Sequence, residues 1–277
     1  MFNVQYKKKV DIVQRNFLRL LRSGAFGWST RPTERIEPMS QWKWNKLYQI
    51  SQIHGVTPWI REGIRHYEED FFLDLKPSLR QHFEEDCTEM TEPPMLQELT
   101  NPMLNHKLQQ LAEESGMEDP TFNLLLRLVN IARNILTQGI SLRQLVMLGV
   151  YLRTTRDVIE YEVLKTWIKR LDMERMARLE GALLLVLFHF TEREIRFTNA
   201  VVNKSIERTA SDIFQLTEKK AADWYFTQGK SIFVRTNDSG AMMWHVKQSA
   251  KYMRYYPAEA VTNFVKNFAH SMSHIEE

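Results

Sequence analysis

Residues Leu124 to Arg153 read LLLRLVNIARNILTQGISLRQLVMLGVYLR, and few folds can accommodate such a stretch. Apolar side chains recur every three or four positions on both sides of Thr137-Gln138-Gly139. That spacing gathers them on one face of a helix, whereas a strand would alternate them across two faces. Phe122, Leu125, Leu126, Val129 and Ile135 form the first stripe, and Leu142, Leu145, Leu148 and Leu152 the second. Gly139 marks the end of the first helix. Ser141 offers a hydroxyl to the unpaired amides that open the second. Two such helices joined by a short turn need further helices to cover their apolar faces.

The rest of the chain supplies them. Helical spacing recurs over residues 8–22 (Val10, Val13, Phe17, Leu20, Leu21), with Gly24 and Gly27 expected to end that helix. It recurs over 41–54 (Trp44, Leu47, Tyr48, Ile50), from near Trp59 after Pro58, over Ser78–Asp86 and over Asn105–Glu114. Beyond residue 153 it returns at 159–170 (Val163, Leu164, Trp167, Ile168), 173–189 (Met176, Leu179, Leu183, Leu187), 204–224, 240–255 and 257–270. Only Lys230–Arg235 has strand-like content, as one short strand or an extended loop. With 10 Gly and 9 Pro among 277 residues, breakers are too sparse for a turn-rich β architecture. The expected fold is all-α, a multi-helix bundle. Thr91-Glu92-Pro93-Pro94 is the clearest interruption, because the residue before a proline is driven out of helical geometry. A soft boundary at 91–102 therefore separates an N-terminal helical unit (1–90) from a C-terminal bundle (103–277).

Composition narrows the function. With 37 basic and 34 acidic side chains the net charge is +3, too balanced to announce a nucleic acid or an anionic membrane. Cys87 is the only cysteine, so no internal disulfide or cysteine-based zinc site can form, which fits a reducing compartment. The basic start has no apolar run behind it and is not a signal peptide. The most apolar segment, Ala182–Phe190, is far shorter than the roughly 20 residues that span a bilayer. A cytoplasmic protein without a transmembrane segment is expected.

Familiar catalytic chemistry is missing. The glycines are isolated, and neither GxxxxGK[ST] nor GxGxxG can be written. The acidic runs Glu68-Glu69-Asp70 with Asp74, and Glu84-Glu85-Asp86, read as solvated faces, since an acid–base pair needs two carboxyls in different environments. They also hold the neighbouring Cys87 thiol in its protonated form. His270 and His274, one helical turn apart, read as chain-end histidines, so no metal and no cofactor is expected. The candidate contacts are cationic. Lys247, Lys251 and Arg254 fall at i, i+4 and i+7 with Trp244, Tyr252, Tyr255 and Tyr256 interleaved, a pattern suited to phosphates and to bases that stack on aromatic rings. Arg127, Arg133, Arg143, Arg153 and Arg156 form a dispersed second set. Arg143 stands out because it lies in an apolar stretch, where a carboxylate or helix-end carbonyl would have to accompany it.

Several segments resemble the uncharacterised nucleotidyltransferase-like proteins of bacterial polysaccharide loci. They are Phe17–Gly24, Leu47–Val56 with Gly63-Ile64, Gly139-Ile140-Ser141-Leu142-Arg143-Gln144-Leu145, Trp167–Leu171 and Leu183–Phe188. The heptapeptide beginning at Gly139 is the most distinctive. The matched segments correspond to the helical shell of that family. Its nucleotidyl-transfer core would fall between Asn105 and Pro120, an interval of about fifteen residues and too short to hold it. No Asp-x-Asp occurs, although two-metal phosphoryl transfer requires clustered carboxylates. An acidic residue is common in the family just after the Arg-Gln-Leu, where Val146 and Met147 stand here. The resemblance thus implies a non-catalytic helical interaction or regulatory protein whose partner is another protein, linked to polysaccharide biosynthesis by analogy. A residual nucleotide binder or nucleotidyltransferase, and a nucleic-acid-binding regulator, are the alternatives. The candidate anion or partner contacts are Arg143, Trp244, Lys247, Lys251, Tyr252 and Arg254.

Overall fold

The computed structural model describes residues 11–27, 34–86, 98–214 and 250–273, with side chains to Lys266. The chain is all-α, and no strand occurs among the described residues. Lys230–Arg235 lies outside them, as do Cys87 and most of the 91–102 linker. The chain forms two compact units. The described part of the first comprises 11–27, 34–86 and 207–214; that of the second comprises 98–206 and 250–273.

In the first unit, α1 (Ile12–Phe26) packs closely on α3 (Thr57–His66). Gly24 lies inside α1 and does not end it, contrary to the sequence expectation; Gly27, at φ 81°, does. Gly24 is needed for packing instead. A Cβ there would overlap the backbone of Trp59, and one on Gly63 would overlap the backbone of Leu20. The two helices therefore meet backbone to backbone. Phe17, Leu20 and Leu21 fill the seam with Ile60 and Ile64, all buried. The segment 34–40 is clamped to α1 by Glu37. Its carboxylate takes Arg15 Nε at 2.8 Å and Nη2 at 2.6 Å, and Arg19 at 2.7 Å. Asn16 exchanges two further bonds with the Glu37 backbone, at 2.7 and 3.0 Å. Beside these guanidinium groups the Glu37 carboxyl is held down to about 2. Helices α2 (Gln41–Ile53) and α4 (Pro77–Glu85) complete this unit, joined by Tyr48 set edge-on to Phe83 with centroids 4.7 Å apart. Phe214, near the end of α10 (204–214), packs edge-on against Phe17 at 5.7 Å.

The second unit is built around α6 (Pro120–Thr137). Eleven of its 18 residues are buried, so it is covered on most sides instead of presenting one apolar stripe. It contacts α5 (Pro102–Ser115), α7 (Leu142–Thr154), α8 (Tyr161–Arg170), α9 (Glu174–Phe188) and α11 (Pro257–Ser273). Side chains fix the helix starts. Asn101 accepts from Met103 N and Leu104 N at 3.1 Å, Asp119 from Phe122 N at 2.7 Å, and Ser141 from Gln144 N at 3.4 Å, the last as its sequence suggests. Gly139, at φ 98°, makes the tight reversal between α6 and α7. The start of α5 receives a second, remote cap. Glu259 of α11 accepts from Thr100 N and Oγ1, both at 2.7 Å, and from Asn101 N at 2.9 Å. A nearly fully buried carboxylate is thus satisfied by the free amides of a helix start, which ties the two elements together.

Candidate functional site

Of the sequence-derived contacts, Arg143, Lys251, Tyr252 and Arg254 lie among the described residues. Trp244 and Lys247 lie outside the described residues. Lys251 and Tyr252 are in the helical turn 250–252, but the chain leaves helical geometry at 253, so Arg254 occupies a turn before α11. Tyr252 is buried at 2% exposure and Tyr256 at 0%. Neither ring offers a free face to a nucleobase; both serve the core. Tyr255 is half-buried and bonds Arg254 Nη2 through its hydroxyl at 2.8 Å, while its ring lies 4.7 Å from that guanidinium.

What the turn does gather is positive charge. Arg254 also donates to Ser205 Oγ at 2.8 Å, and its carbonyl accepts from Arg175 Nη1 at 3.5 Å. Lys204 adjoins Ser205, and Arg178 follows Arg175 one turn along α9. Arg175, Arg178, Lys204 and Arg254 are all exposed, and none is in an ion pair among the described residues. Of this patch the sequence spacing showed only Lys251 and Arg254. The others come from α9 and from the start of α10, and only the packing reveals them.

Arg143 is half-buried in the first turn of α7. Next to it Gln144 takes a hydrogen bond from Asn134 of α6 at 2.8 Å, an amide link across the α6–α7 turn. Two others of the same arginine set, Arg127 and Arg153, make structural contacts. Arg127 stacks on Tyr151 at 4.1 Å; Arg153 pairs with Glu194 at 3.0 Å and lies 4.3 Å from the centre of the Phe190 ring. The acidic runs are largely exposed, with Glu68 bound to Arg80 at 2.5 Å and Glu84 to Arg65 at 2.7 Å. Among the described residues no group of three or more His, Cys, Asp or Glu is placed to hold a metal, and no helix is long and apolar enough to cross a membrane. His274 and the side chain of His270 lie outside the described residues.

The first unit carries a surface that sequence periodicity missed. Trp42 is 68% exposed at the start of α2, and Phe71 is 90% exposed in the segment after α3. Phe72 lies beside Phe71, ring edge to face at 5.3 Å. Gln41 joins the two regions: its Nε2 donates to Asp74 O at 2.8 Å and its Oε1 accepts from Lys76 N at 3.4 Å. The Asp70 carboxylate fixes the turn by accepting from Phe72 N at 2.9 Å. Lys46 lies over the Trp42 ring at 5.7 Å; Lys43 and Lys76 neighbour the aromatics in sequence, as do the exposed acids Glu69 and Asp74. The available signal was the Phe71-Phe72 pair in a polar segment, at positions that no helical stripe absorbs.

These features define a class no finer than an all-α protein of two compact units. No model of a known protein family, no curated protein and no solved structure matches the chain.

Proposed function

We propose that this is a non-catalytic helical interaction protein that docks another protein through Trp42, Phe71 and Phe72. The observation that carries this reading is the exposure of these rings on a segment held in place by Gln41 and Asp70. Large aromatics supply most of the energy of protein interfaces when a partner desolvates them, so leaving them in water is costly unless something covers them. The occupant these rings call for is a protein with an apolar patch that can cover them. A cytoplasmic location accords with the single cysteine. The resemblance of Gly139–Leu145 to the nucleotidyltransferase-like shell supports descent from that family without its reaction, and by analogy alone a setting in polysaccharide biosynthesis.

The test is photo-crosslinking from residue 45, beside the aromatics, in the source cell, followed by reconstitution with the purified captured protein. Trp42→Ala and Phe71→Ala are each expected to weaken the reconstituted complex by about 2 kcal/mol, close to thirtyfold. A complex indifferent to both substitutions, or a chain that captures no partner, overturns the proposal.

One observation favours a second reading, a nucleic-acid-binding regulator. It is the cluster of Arg175, Arg178, Lys204, Lys251 and Arg254. With Tyr252 and Tyr256 buried, such binding would work through phosphates without base stacking. It requires affinity that falls steeply as salt rises, and salt-independent binding eliminates it.

A further inference from the structure

The second unit contains a cleft of about 690 Å³ that the interaction surface does not use. One wall is the first turn of α8, with Tyr161, Glu162 and Lys165. The other is the irregular segment from Glu192 to Val201. This second wall is held firmly despite lacking regular structure. Glu194 accepts from Thr191 N at 2.7 Å and Thr191 Oγ1 at 2.8 Å, and pairs with Arg153 at 3.0 Å. Ile195 and Phe197 are buried, and a Cβ on Gly181 would press on Ile195, Thr198 and Ala200, so the segment lies directly on α9. A preformed cleft of this volume is within the range that holds small ligands.

The charges in the cleft are specific. Lys165 and Glu162 pair with each other at 2.7 Å along α8, so their charges offset one another. That leaves one cation and one anion, Arg196 and Glu192, both exposed and neither in an ion pair among the described residues. The Arg196 guanidinium lies 5.1 Å from the centre of the Tyr161 ring, which restrains the cation in the cleft. Ile195, Ala200 and Val201 supply apolar lining, and Thr198 and Asn199 supply hydrogen-bonding groups. A phosphate dianion would meet Arg196 but be repelled by Glu192. A neutral apolar molecule would leave both charges unused. A zwitterion satisfies both, with its carboxylate on the planar fork of Arg196 and its ammonium on Glu192.

We infer that this cleft binds a zwitterionic amino acid or short peptide with an apolar side chain. L-leucine and leucyl-leucine are the probes, titrated into the full chain by calorimetry and ligand-observed NMR. N-acetyl-L-leucine lacks the ammonium and L-leucinamide lacks the carboxylate. At least one probe is expected to bind more tightly than about 10 mM, with both controls weakened about tenfold or more. Arg196→Ala should weaken the probe about tenfold but leave L-leucinamide unchanged, and Glu192→Gln should do the same toward N-acetyl-L-leucine. Both side chains are exposed, so the variants are expected to fold, which circular dichroism checks. Failure of both probes to bind, binding that survives both substitutions, or inorganic phosphate binding as tightly as the probes each overturns the inference.

Discussion

Glu180 makes the stability of the second unit depend on pH in an unusual direction. It lies on α9 with 0% exposure, and neither carboxyl oxygen has a hydrogen-bond partner. Burial with nothing to offset it pushes the carboxyl well above its ordinary 4.5, so folding favours the neutral acid at Glu180. In the unfolded chain the same group ionises near 4.5. Folding then takes up a proton at every pH between those two values. The contribution of Glu180 to stability is complete below about 4.5 and declines as pH rises toward the folded-state value, at about 1.4 kcal/mol per pH unit. Glu180→Gln cannot ionise and should abolish that slope. Urea unfolding of the full chain at pH 5, 6 and 7, followed by far-ultraviolet circular dichroism, measures it. Between pH 5 and 7 the wild type should lose more stability than the variant, along a slope of at most about 1.4 kcal/mol per pH unit. Glu180→Met, which also removes the unpartnered polar atoms, should gain about 1–3 kcal/mol at pH 7. Parallel pH profiles for wild type and Glu180→Gln would refute the reasoning, because they would mean the carboxylate is solvated or paired in the folded chain.

Three further predictions follow from the packing. Glu37 runs opposite to Glu180: its folded-state value, about 2, lies below the ordinary 4.5, so its stabilisation is present above 4.5 and is lost as pH falls toward 2. With Arg15, Arg19 and Glu37 part-exposed, solvent screening reduces the effect, and Glu37→Gln should cost about 1 kcal/mol at pH 7 in urea unfolding and nearly nothing near pH 2. Gly63→Ala forces α3 off the Leu20 backbone and should destabilise the first unit by about 3 kcal/mol or more, seen as a lower Tm; an unchanged Tm would show that the two helices are not in backbone contact. Glu259→Ala leaves Thr100 N, Thr100 Oγ1 and Asn101 N without their acceptor and should cost about 2–4 kcal/mol, with faster hydrogen exchange at the start of α5.

The helices were legible because their signals are local. Apolar spacing locates α6 and α7 to within a residue or two, and Gly139 and Ser141 identify the turn between them from properties of single residues. Gly24 shows where local reading fails. A glycine late in an apolar helix looks like a stop signal, yet here it admits the backbone of a helix more than thirty residues away. No property of the sequence around residue 24 encodes the approach of Trp59. Glu259 fails the same way: in a pattern it is one more acid in a first turn, and only the fold brings it to the amides of Thr100 and Asn101.

The same distinction governs the candidate contacts. Lys247, Lys251 and Arg254 read as one helical face with Tyr252 interleaved, an inference that needs the helix to continue through Arg254. It ends at Tyr252, which sends that ring and Tyr256 into the core and leaves Arg254 to join Arg175 and Lys204 from other elements. Charge clusters assembled across elements cannot be found by spacing along one. Exposed aromatics are a different case. Phe71 and Phe72 sit in a polar segment with no periodic partner, and a side chain that no helical stripe claims must either enter another core or stay in water. Trp42 shares a helix start with Trp44, two positions away and so on the opposite side of α2. The spacing puts the two indoles on different sides, and the fold decides which side is covered: Trp44 is sealed in the core and Trp42 stays exposed. The Gln41 hydrogen bonds to Asp74 and Lys76 then tie the start of α2 to the segment that carries Phe71 and Phe72.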